Sequence, residues 1–437
     1  MRVLTRNPVA GWRERRLAPL LDASGAVYAA RPEDIPERQL AKLSEIWSRA
    51  CRRVPYFDTL VRNGSAPREI RSWDDFRALP VMQRADLQHG LEARMDPTQR
   101  VTSWSATGGS TGEPVRIPRA ADELTTAGLP LWLGRRFYGI RPRDRMFHLW
   151  GHSHLFGHGP MRHWRRLQRG IKNRLLGYSH FSAYQLTPER LEQAGEAILR
   201  MRPDYVVGYS RALALLARQC GHRSGAFRGL RLKAVIATTE AFVDAADRDT
   251  VAEVFGCPVA MEYGANEVGV LAYTHPDDGR YRVFWDDYLL EAVPGDGDAA
   301  ELLVTCLFPR AVPLLRYAIG DRVSGYEASG LGITGFEAVL GRDNDAVEVE
   351  PGVRVHGEAL THCLVAQRGV LGVQVVQERD GIITFHLLCD APLPERQEAV
   401  LRRDLGSLHP ALAKSPIRYV RNLEQTPAGK TRWIIRR

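Results

Sequence analysis

Apolar and polar positions alternate along this chain with two different periods. In residues 36–61 and 120–137, apolar residues recur at helical spacing, which predicts two helices. The middle of the chain alternates short β-branched runs with helical stretches, which is typical of a parallel sheet covered by helices. Strands are expected at 204–208, 232–238 and 258–264, and helices at 210–220 and 244–255. Residues 1–35 show no clear period and are expected to form a loosely organised lead-in.

The pattern changes in the last third of the chain. Residues 281–323 are rich in predicted strands, and a new series begins after Gly341. This series comprises a strand at 346–349, a helix at 358–367, a hairpin around Asp380 and Gly381, a helix at 394–408 and a strand at 417–420. Because a unit of about 95 residues is large enough to be a domain, we predict two domains, residues 1–340 and 341–437.

Composition restricts the class of protein. The chain has 437 residues, of which 44% are hydrophobic and 25% charged, as in globular proteins. No stretch approaches the ~20 consecutive apolar residues of a membrane span, and the N-terminal residues lack the apolar segment of a secretory signal. The six cysteines form no CxxC pair, which favours reduced thiols. We therefore expect a cytoplasmic protein without a membrane partner.

The net charge of +9 leaves two kinds of partner open. A nucleic-acid-binding protein usually concentrates its positive charge on one face or tail. Here the 60 Lys and Arg residues are spread along the whole chain, which suits anionic small molecules such as nucleotides equally well.

A glycine-rich segment is the first candidate for chemistry. Residues Thr107, Gly108, Gly109, Ser110, Thr111 and Gly112 combine three glycines with three hydroxyl side chains. Glycines let the backbone approach a ligand, and successive N–H groups can form an anion-binding nest. No Lys-Ser or Lys-Thr follows, so the segment is not a Walker A loop. The alternative is an ordinary surface loop.

Three later segments place charged residues at the ends of apolar runs or in a tight turn. Tyr263 could stack on a purine, and Glu267 could hold a phosphate-bound Mg²⁺. Asp321 is suited to hydrogen bonding with the two hydroxyls of a ribose. Lys430, between Pro427 and Trp433, could stabilise negative charge that develops in a transition state. Taken singly, each is more often an ordinary turn or a solvated lysine.

Histidines cluster in residues 147–164, where His148, His152, His154, His158 and His163 all occur. A metal site on a helix would need His154 and His158 on one face. Glycines and a proline interrupt that helix, so a loop that lines a pocket is the favoured interpretation.

The order and spacing of these segments resemble a known family. They are similar to the core motifs of the AMP-forming acyl- and aryl-CoA synthetases, which are adenylate-forming enzymes, and especially to the phenylacetate-CoA ligase branch with its capsular-biosynthesis-like members. The resemblance spans roughly residues 45–437 and is carried by segments 53–57, 79–82, 106–114, 239–241, 263–267, 313–321, 341–342 and 427–430.

The resemblance implies roles for individual residues. Residues 107–112 would cradle the β,γ-phosphates of ATP, and Glu267 would bind Mg²⁺ through those phosphates. Glu240, Ala241, Tyr263, Gly264 and Asn266 would surround the nucleotide, with Tyr263 stacked on adenine. Asp321 would clamp the ribose, and Arg342 would contact the ribose or a phosphate. Lys430 would bridge the substrate carboxylate and the α-phosphate.

The resemblance also implies an architecture. It is an α/β fold with a large N-terminal domain of helix-covered β-sheets and a small mobile α+β C-terminal domain, which rotates between two half-reactions about a hinge at Asn344. The acid would lie against Trp150, His154, Phe156, Tyr209 and Thr238, which suits a flat aromatic acid better than a fatty chain. Oligomeric state leaves no readable trace in the sequence.

The sequence departs from the family pattern at three motif positions. Glu113 stands where a lysine is usual, Asn266 replaces Thr or Ser, and Asn344 replaces the usual Asp or Lys at the hinge. Residues 271–275 contain no cysteine, whereas some members of the branch carry a cysteine-rich zinc site there, so no zinc is predicted.

Three hypotheses remain from the sequence. The first is a ligase that forms an acyl-AMP, releases pyrophosphate and transfers the acyl group to coenzyme A. The second keeps the acyl-AMP but uses an amine as the acceptor, giving an amide or hydrazide. The third is a nucleotide- or nucleic-acid-binding protein without ligase activity; the resemblance favours small-molecule partners over nucleic acid.

Overall fold

A computed structural model describes residues 8–106, 115–150, 173, 175–183, 187–239, 241–242, 245–294, 299–342, 346–350, 353–356, 360, 363–364, 367, 369–389, 391–424 and 434–437. The α-helices are α1 (Pro8–Val27), α2 (Ile35–Arg53), α3 (Pro55–Arg62), α4 (Trp73–Arg77), α5 (Arg84–His89), α6 (Ala121–Ala127), α7 (Leu129–Phe137), α8 (Pro188–Met201), α9 (Ser210–Gln219), α10 (Ser224–Arg228), α11 (Ala245–Phe255), α12 (Glu395–Leu408) and α13 (Pro410–Ala413).

The first strands are β1 (Val101–Ala106), β2 (Arg116–Ala120), β3 (Met146–Trp150), β4 (Tyr178–Ser182), β5 (Tyr205–Tyr209), β6 (Val235–Thr238), β7 (Val259–Ala265), β8 (Gly269–Thr274), β9 (Tyr281–Val283), β10 (Tyr288–Pro294) and β11 (Ala299–Cys306). The later strands are β12 (Tyr317–Ser324), β13 (Glu327–Ser329), β14 (Gly332–Phe336), β15 (Ala338–Arg342), β16 (Ala346–Glu350), β17 (Val353–His356), β18 (Val370–Gln377), β19 (Ile383–Cys389), β20 (Ile417–Val420) and β21 (Ile434–Arg436).

A large mixed sheet organises the first part of the described chain. Strands β3 to β7 run parallel in the order β4-β3-β5-β6-β7, and the sheet continues antiparallel through β8, β9, β14, β10, β11, β12 and β15. Helices α9 and α11 connect its parallel strands, because a parallel pair needs a crossover. The alternation predicted for residues 204–264 is therefore confirmed, with strand limits shifted by a few residues at most.

The last part of the chain forms a second, smaller arrangement. Strands β18 and β19 make the predicted hairpin, and β20 and β21 flank it in parallel. Helix α12 and strands β16 and β20 also lie where they were predicted, whereas most of the expected helix at 358–367 falls outside the described residues. The fold is mixed α/β, as predicted.

Buried apolar side chains form two separate clusters in the described part of the chain. The first extends from Leu21 to Phe336, and the second from Val347 to Ile434. This grouping supports two units on either side of residue 340; the domain boundary itself stays a prediction.

Prolines account for the two helices that differ from expectation. The predicted helix at 36–61 is two helices, because Val54 precedes Pro55 and adopts an extended conformation, with φ −112° and ψ 116°. The predicted helix at 120–137 likewise divides at Gly128, before Pro130. In both cases the apolar spacing continues across the break, so periodicity alone did not locate it.

The prediction that the N-terminal residues are loosely organised is wrong for residues 8–27, which form α1. Tertiary contacts rather than a regular apolar stripe hold this helix. The Arg13 guanidinium donates to Tyr178 Oη at 2.6 Å and lies 5.5 Å from the centroid of the Trp132 ring, while Leu21 is fully buried. Among the helices that the structure describes, none is long and apolar enough to cross a membrane.

Candidate active site

The carboxyl ends of the parallel strands meet at one edge of the large sheet. Register places Tyr209 beside Thr238 and Thr238 beside Glu262, so these side chains share a face. The rings of Trp150 and Tyr209 lie 4.3 Å apart between centroids, and Thr238 Oγ1 donates to Glu262 Oε1 at 3.2 Å. The structure therefore brings together the three predicted substrate residues that it describes.

Glu262 is a member of this row that the sequence interpretation did not single out. Its second carboxylate oxygen accepts a hydrogen bond from Tyr273 Oη at 2.8 Å. Burial, and then the charge of Glu262, hold the pKa of Tyr273 well above its ordinary value. The sequence feature that could have identified Glu262 is its position as an acidic residue inside the otherwise apolar run 258–264. A carboxylate so placed can accept hydrogen bonds from a ligand at this edge.

A pair of imidazoles, from His148 in β3 and His180 in β4, lies next to Trp150. Nδ1 of His148 is 3.2 Å from Nδ1 of His180, and the His148 ring is 4.7 Å from the Trp150 ring. Among the described residues, no group of three or more His, Cys, Asp or Glu side chains is arranged to hold a metal ion. The other histidines of the 147–164 cluster lie outside the described residues.

Two predicted nucleotide residues, Tyr263 and Asp321, are in direct contact. Tyr263 Oη donates to Asp321 Oδ2 at 3.0 Å, although 58 positions separate them in the chain. Strand β7 supplies the tyrosine and β12 the aspartate, and Phe336 packs edge-on against the tyrosine ring at 5.7 Å. In β15, the backbone of Arg342 pairs with Asp321. An aromatic ring and a carboxylate, the two kinds of group expected to bind a purine and its ribose, thus occur side by side.

Strand β7, which leads into the turn at residues 266–268, has a backbone reason for its glycine, Gly264. A Cβ added to Gly264 would lie 2.2 Å from the carbonyl oxygen of Gly269, so a larger residue cannot occupy this position without moving β8. Asn266 and Ala241 are exposed close to this turn and to β6, respectively. Thr239, just after β6, has φ of 76°, which is unusual for a β-branched residue. Such strain is common at ligand sites.

Glu267 ends the Tyr263 motif as a buried carboxylate. Its side chain is 3% exposed, and Oε1 accepts hydrogen bonds from Arg84 Nη1 at 3.2 Å and from Tyr317 Oη at 3.4 Å. The carboxylate is an oxygen ligand of the kind that Mg²⁺ prefers, in the company of substrate phosphates. Arg84 was not anticipated; its sequence signal was its position just after the family-like segment 79–82.

A second buried carboxylate lies behind the Glu267 turn. Glu123 Oε1 accepts from Arg119 Nη1 at 2.6 Å and lies 2.9 Å from Arg310 Nη2, while Oε2 accepts from the backbone N–H of Ala311 at 3.1 Å. Burial acts to raise the pKa of the Glu123 carboxyl, but Arg310 and Arg119 outweigh it and hold that pKa below its ordinary value. Burial, together with repulsion from Arg310, lowers the pKa of Arg119.

The same arginines hold the backbone of the site. Arg310 Nη2 donates to the carbonyl oxygen of Glu267 at 2.7 Å, and Arg119 Nη2 donates to that of Asn266. Arg119 Nε also donates to Ser105 Oγ at 3.0 Å, on the strand that leads into the glycine-rich segment. The cluster therefore ties the Glu267 turn to strand β1, which precedes that segment.

Several predicted site residues lie outside the described residues. They are Thr107, Gly108, Gly109, Ser110, Thr111, Gly112, His154, Phe156, Glu240, Asn344 and Lys430. Their assignments stay predictions, as does the side-chain role of Arg342.

Comparison with known proteins shows which proteins this chain is similar to. No protein-family model matches the chain. It is 20% identical over 411 residues to Protein CapK of Staphylococcus aureus, covering 92% of this chain and 89% of that protein. It is 24% identical over 381 residues to phenylacetate-coenzyme A ligase of Thermus thermophilus, covering 82% of each.

The fold matches that of a solved ligase. A 2-hydroxyisobutyryl-CoA ligase in the postadenylation state, in complex with 2-HIB-AMP, superposes with a TM-score of 0.68 at 16% identity, covering 91% of this chain and 89% of that one. The relatives in sequence and the shared fold agree with the motifs. The chain is thus similar in sequence to phenylacetate-CoA ligases and to CapK, and similar in fold to a CoA ligase, in agreement with its resemblance to the AMP-forming, adenylate-forming ligases and their phenylacetate-CoA ligase-like branch.

Proposed function

We propose that this protein is an ATP-dependent ligase that activates a carboxylic acid as an acyl-AMP and transfers the acyl group to coenzyme A. The contact between Tyr263 and Asp321 carries the proposal, because it joins a ring for a purine to a carboxylate for a ribose beside the buried Glu267. The similarity in sequence to phenylacetate-coenzyme A ligase and in fold to 2-hydroxyisobutyryl-CoA ligase supports the same reaction.

The proposed reaction has two steps. A substrate carboxylate oxygen attacks the α-phosphorus of ATP, and pyrophosphate leaves. The thiolate of coenzyme A then attacks the acyl carbon, and AMP leaves with the bonding electrons. The first step depends on holding the carboxylate oxygen in line with the bond to the leaving pyrophosphate. The second depends chiefly on positioning the thiolate, because the mixed anhydride is already activated.

Individual residues of this chain are proposed to have the following roles. Tyr263 and Asp321 would bind adenosine, with Glu240, Ala241, Gly264, Asn266 and Arg342 around it. Residues 107–112 would hold the phosphates, and Glu267 would bind Mg²⁺, which neutralises phosphate charge when it is present. Lys430 would stabilise the charge shared between the carboxylate and the α-phosphate. Withdrawal of Lys430 by rotation of residues 341–437 about Asn344 would then open the acyl-AMP to its acceptor.

The acid is proposed to be aromatic or a small organic acid. The contact between the Trp150 and Tyr209 rings supports a flat acyl group, and Thr238 and Glu262 add polar contacts at the same edge. His154 and Phe156 are proposed to complete the lining. The second acceptor class, an amine, uses the same acyl-AMP.

Product analysis tests this proposal. The protein is incubated with ATP, Mg²⁺ and a panel of aromatic and small acids, and the mixture is weighed by mass spectrometry before and after a chase with coenzyme A or with amines. We expect an acyl-AMP that coenzyme A converts into a thioester. Conversion by amines alone would reassign the acceptor, and the absence of any acyl-AMP would contradict the proposed function.

A further inference from the structure

Glu267 is paired with a cation from a remote segment. Arg84 Nη1 lies 3.2 Å from Glu267 Oε1, and 183 positions separate the two residues in the chain. The Glu267 side chain is 3% exposed and the Arg84 side chain is 28% exposed. The guanidinium is therefore the more exposed partner of this ion pair.

The position of Arg84 is fixed by backbone contacts to the strand that carries other site residues. Met82 N–H donates to Arg316 O at 3.1 Å, and Ala318 N–H donates to Met82 O at 2.9 Å. This short parallel bridge joins Met82 to Tyr317, the first residue of β12. Helix α5 then begins at Arg84 itself. The arginine is thus held against the strand that bears Asp321.

The glycine-rich segment cannot itself supply a cation for phosphates. Residues 101–115 contain no Lys or Arg, and their one charged residue is Glu113. A triphosphate bound there requires positive charge from elsewhere, because unneutralised phosphate charge is unfavourable away from bulk water. Arg84 is a cation already placed at the carboxylate proposed to bind Mg²⁺, and its planar fork matches phosphate oxygens.

We propose that Arg84 binds the β- and γ-phosphates of ATP, and the pyrophosphate product, in exchange for its present contact with Glu267. In the structure Arg84 neutralises Glu267; when Glu267 instead ligates the metal, the guanidinium turns its donors to the phosphate oxygens. This inference rests on the proposed function, because it assumes that ATP binds at this site.

Direct binding tests the exchange without any acid substrate. Calorimetric titration of wild type and Arg84→Gln measures the affinity for ATP with Mg²⁺, for pyrophosphate with Mg²⁺ and for AMP. We expect Arg84→Gln to weaken the affinities for ATP and for pyrophosphate about 10- to 100-fold, as loss of a charge-assisted contact does. The affinity for AMP should change less than about twofold. Arg84→Lys should show a smaller loss with the same selectivity, because it keeps the charge but not the fork.

Arg71→Gln is the matched control, since Arg71 is an exposed arginine whose ion pair with Glu69 lies on the surface. It should leave all three affinities unchanged. Equal weakening of ATP and AMP by Arg84→Gln and by Arg84→Lys, or unchanged ATP and pyrophosphate affinity, would overturn the inference. Failure of the wild type to bind either ATP or AMP would instead contradict the proposed function, so the two failures are distinguishable. If Arg84→Gln does not fold, Arg84→Lys alone decides the question through the ratio of ATP to AMP affinity.

Discussion

Glu123 and Glu267 are both almost fully buried glutamates beside arginines, yet their surroundings differ. Glu123 is 1% exposed and is enclosed by Arg119, Arg310 and a backbone N–H, all within 3.1 Å. Glu267 is 3% exposed and is contacted by the partly exposed Arg84 and, at 3.4 Å, by Tyr317. The first carboxylate is held by several strong contacts, and the second by fewer and longer ones.

The difference separates a structural carboxylate from one that can change partners. Arg310 contacts the Glu123 carboxylate and the Glu267 carbonyl oxygen, so the fixed cluster holds the backbone of the turn. The Glu267 side chain, by contrast, contacts the partly exposed Arg84. A binding site needs both properties, because a ligand group must be positioned accurately and still exchange its contacts when the ligand arrives.

The largest expected effect is on stability, from Glu123→Gln. Removing this charge leaves Arg119 and Arg310 buried without their common anion, which typically costs about 3–5 kcal/mol. Urea unfolding of wild type and variant measures the loss. Glu69→Gln, on the surface, is the control and should change the free energy of unfolding by less than about 0.5 kcal/mol. Equal stabilities of Glu123→Gln and wild type would show that the cluster is not the anchor described here.

Glu267→Gln should instead reduce the reaction rate and leave stability nearly unchanged. We expect the rate of acyl-AMP formation to fall roughly 100-fold or more, because a metal-binding charge is lost where phosphate charge develops. The Mg²⁺ concentration that gives half-maximal rate should rise, while the melting temperature changes little. Wild-type dependence of the rate on Mg²⁺ concentration in this variant would show that Glu267 does not bind the metal.

Asp287 gives a third, smaller case: a buried carboxylate whose hydrogen-bond donor is the neutral hydroxyl of Tyr28, at 2.7 Å. Burial raises the pKa of Asp287 to about 6. Between about pH 4 and 6 the folded protein therefore keeps a proton that the unfolded chain has lost, and the contribution of this group to stability falls as pH rises. The total loss across this window is about 3 kcal/mol.

Asp287→Asn should remove this slope. The free energy of unfolding of the variant, minus that of wild type, should increase as pH rises from about 4 to 6 and level off above that range. Thermal or urea unfolding at several pH values measures the difference. A constant difference across the range would show that Asp287 titrates normally in the folded protein.

Three of the five parallel strands, β5, β6 and β7, were predicted with their carboxyl ends, because apolar runs bounded by helices carry a local signal; β3 and β4 were not predicted. Tyr263 and Asp321 were identified at the ends of apolar runs, whereas Trp150 and Tyr209 followed from the family resemblance; the fold brings them together in pairs. Periodicity did not locate the breaks at Val54 and Gly128, where proline geometry overrides the apolar spacing.

Contacts between remote segments were beyond sequence reasoning. Arg84 reaches Glu267 only because Met82 pairs with Tyr317, and Arg119 reaches Arg310 only through Glu123. Neither pairing leaves a periodic pattern, because each depends on the tertiary arrangement of segments more than a hundred positions apart. Helix α1 was missed for the same reason, since Arg13 is anchored by Tyr178.

The measurement that tests the central claim most directly is exchange of labelled pyrophosphate into ATP, with and without each acid of a panel. We predict exchange that requires both Mg²⁺ and a particular acid, and that falls by orders of magnitude in Lys430→Ala while ATP binding persists, since that charge would act mainly in the transition state. A folded, ATP-binding protein that supports no acid-dependent exchange with any acid would contradict the assignment of this chain as a carboxylate-activating ligase.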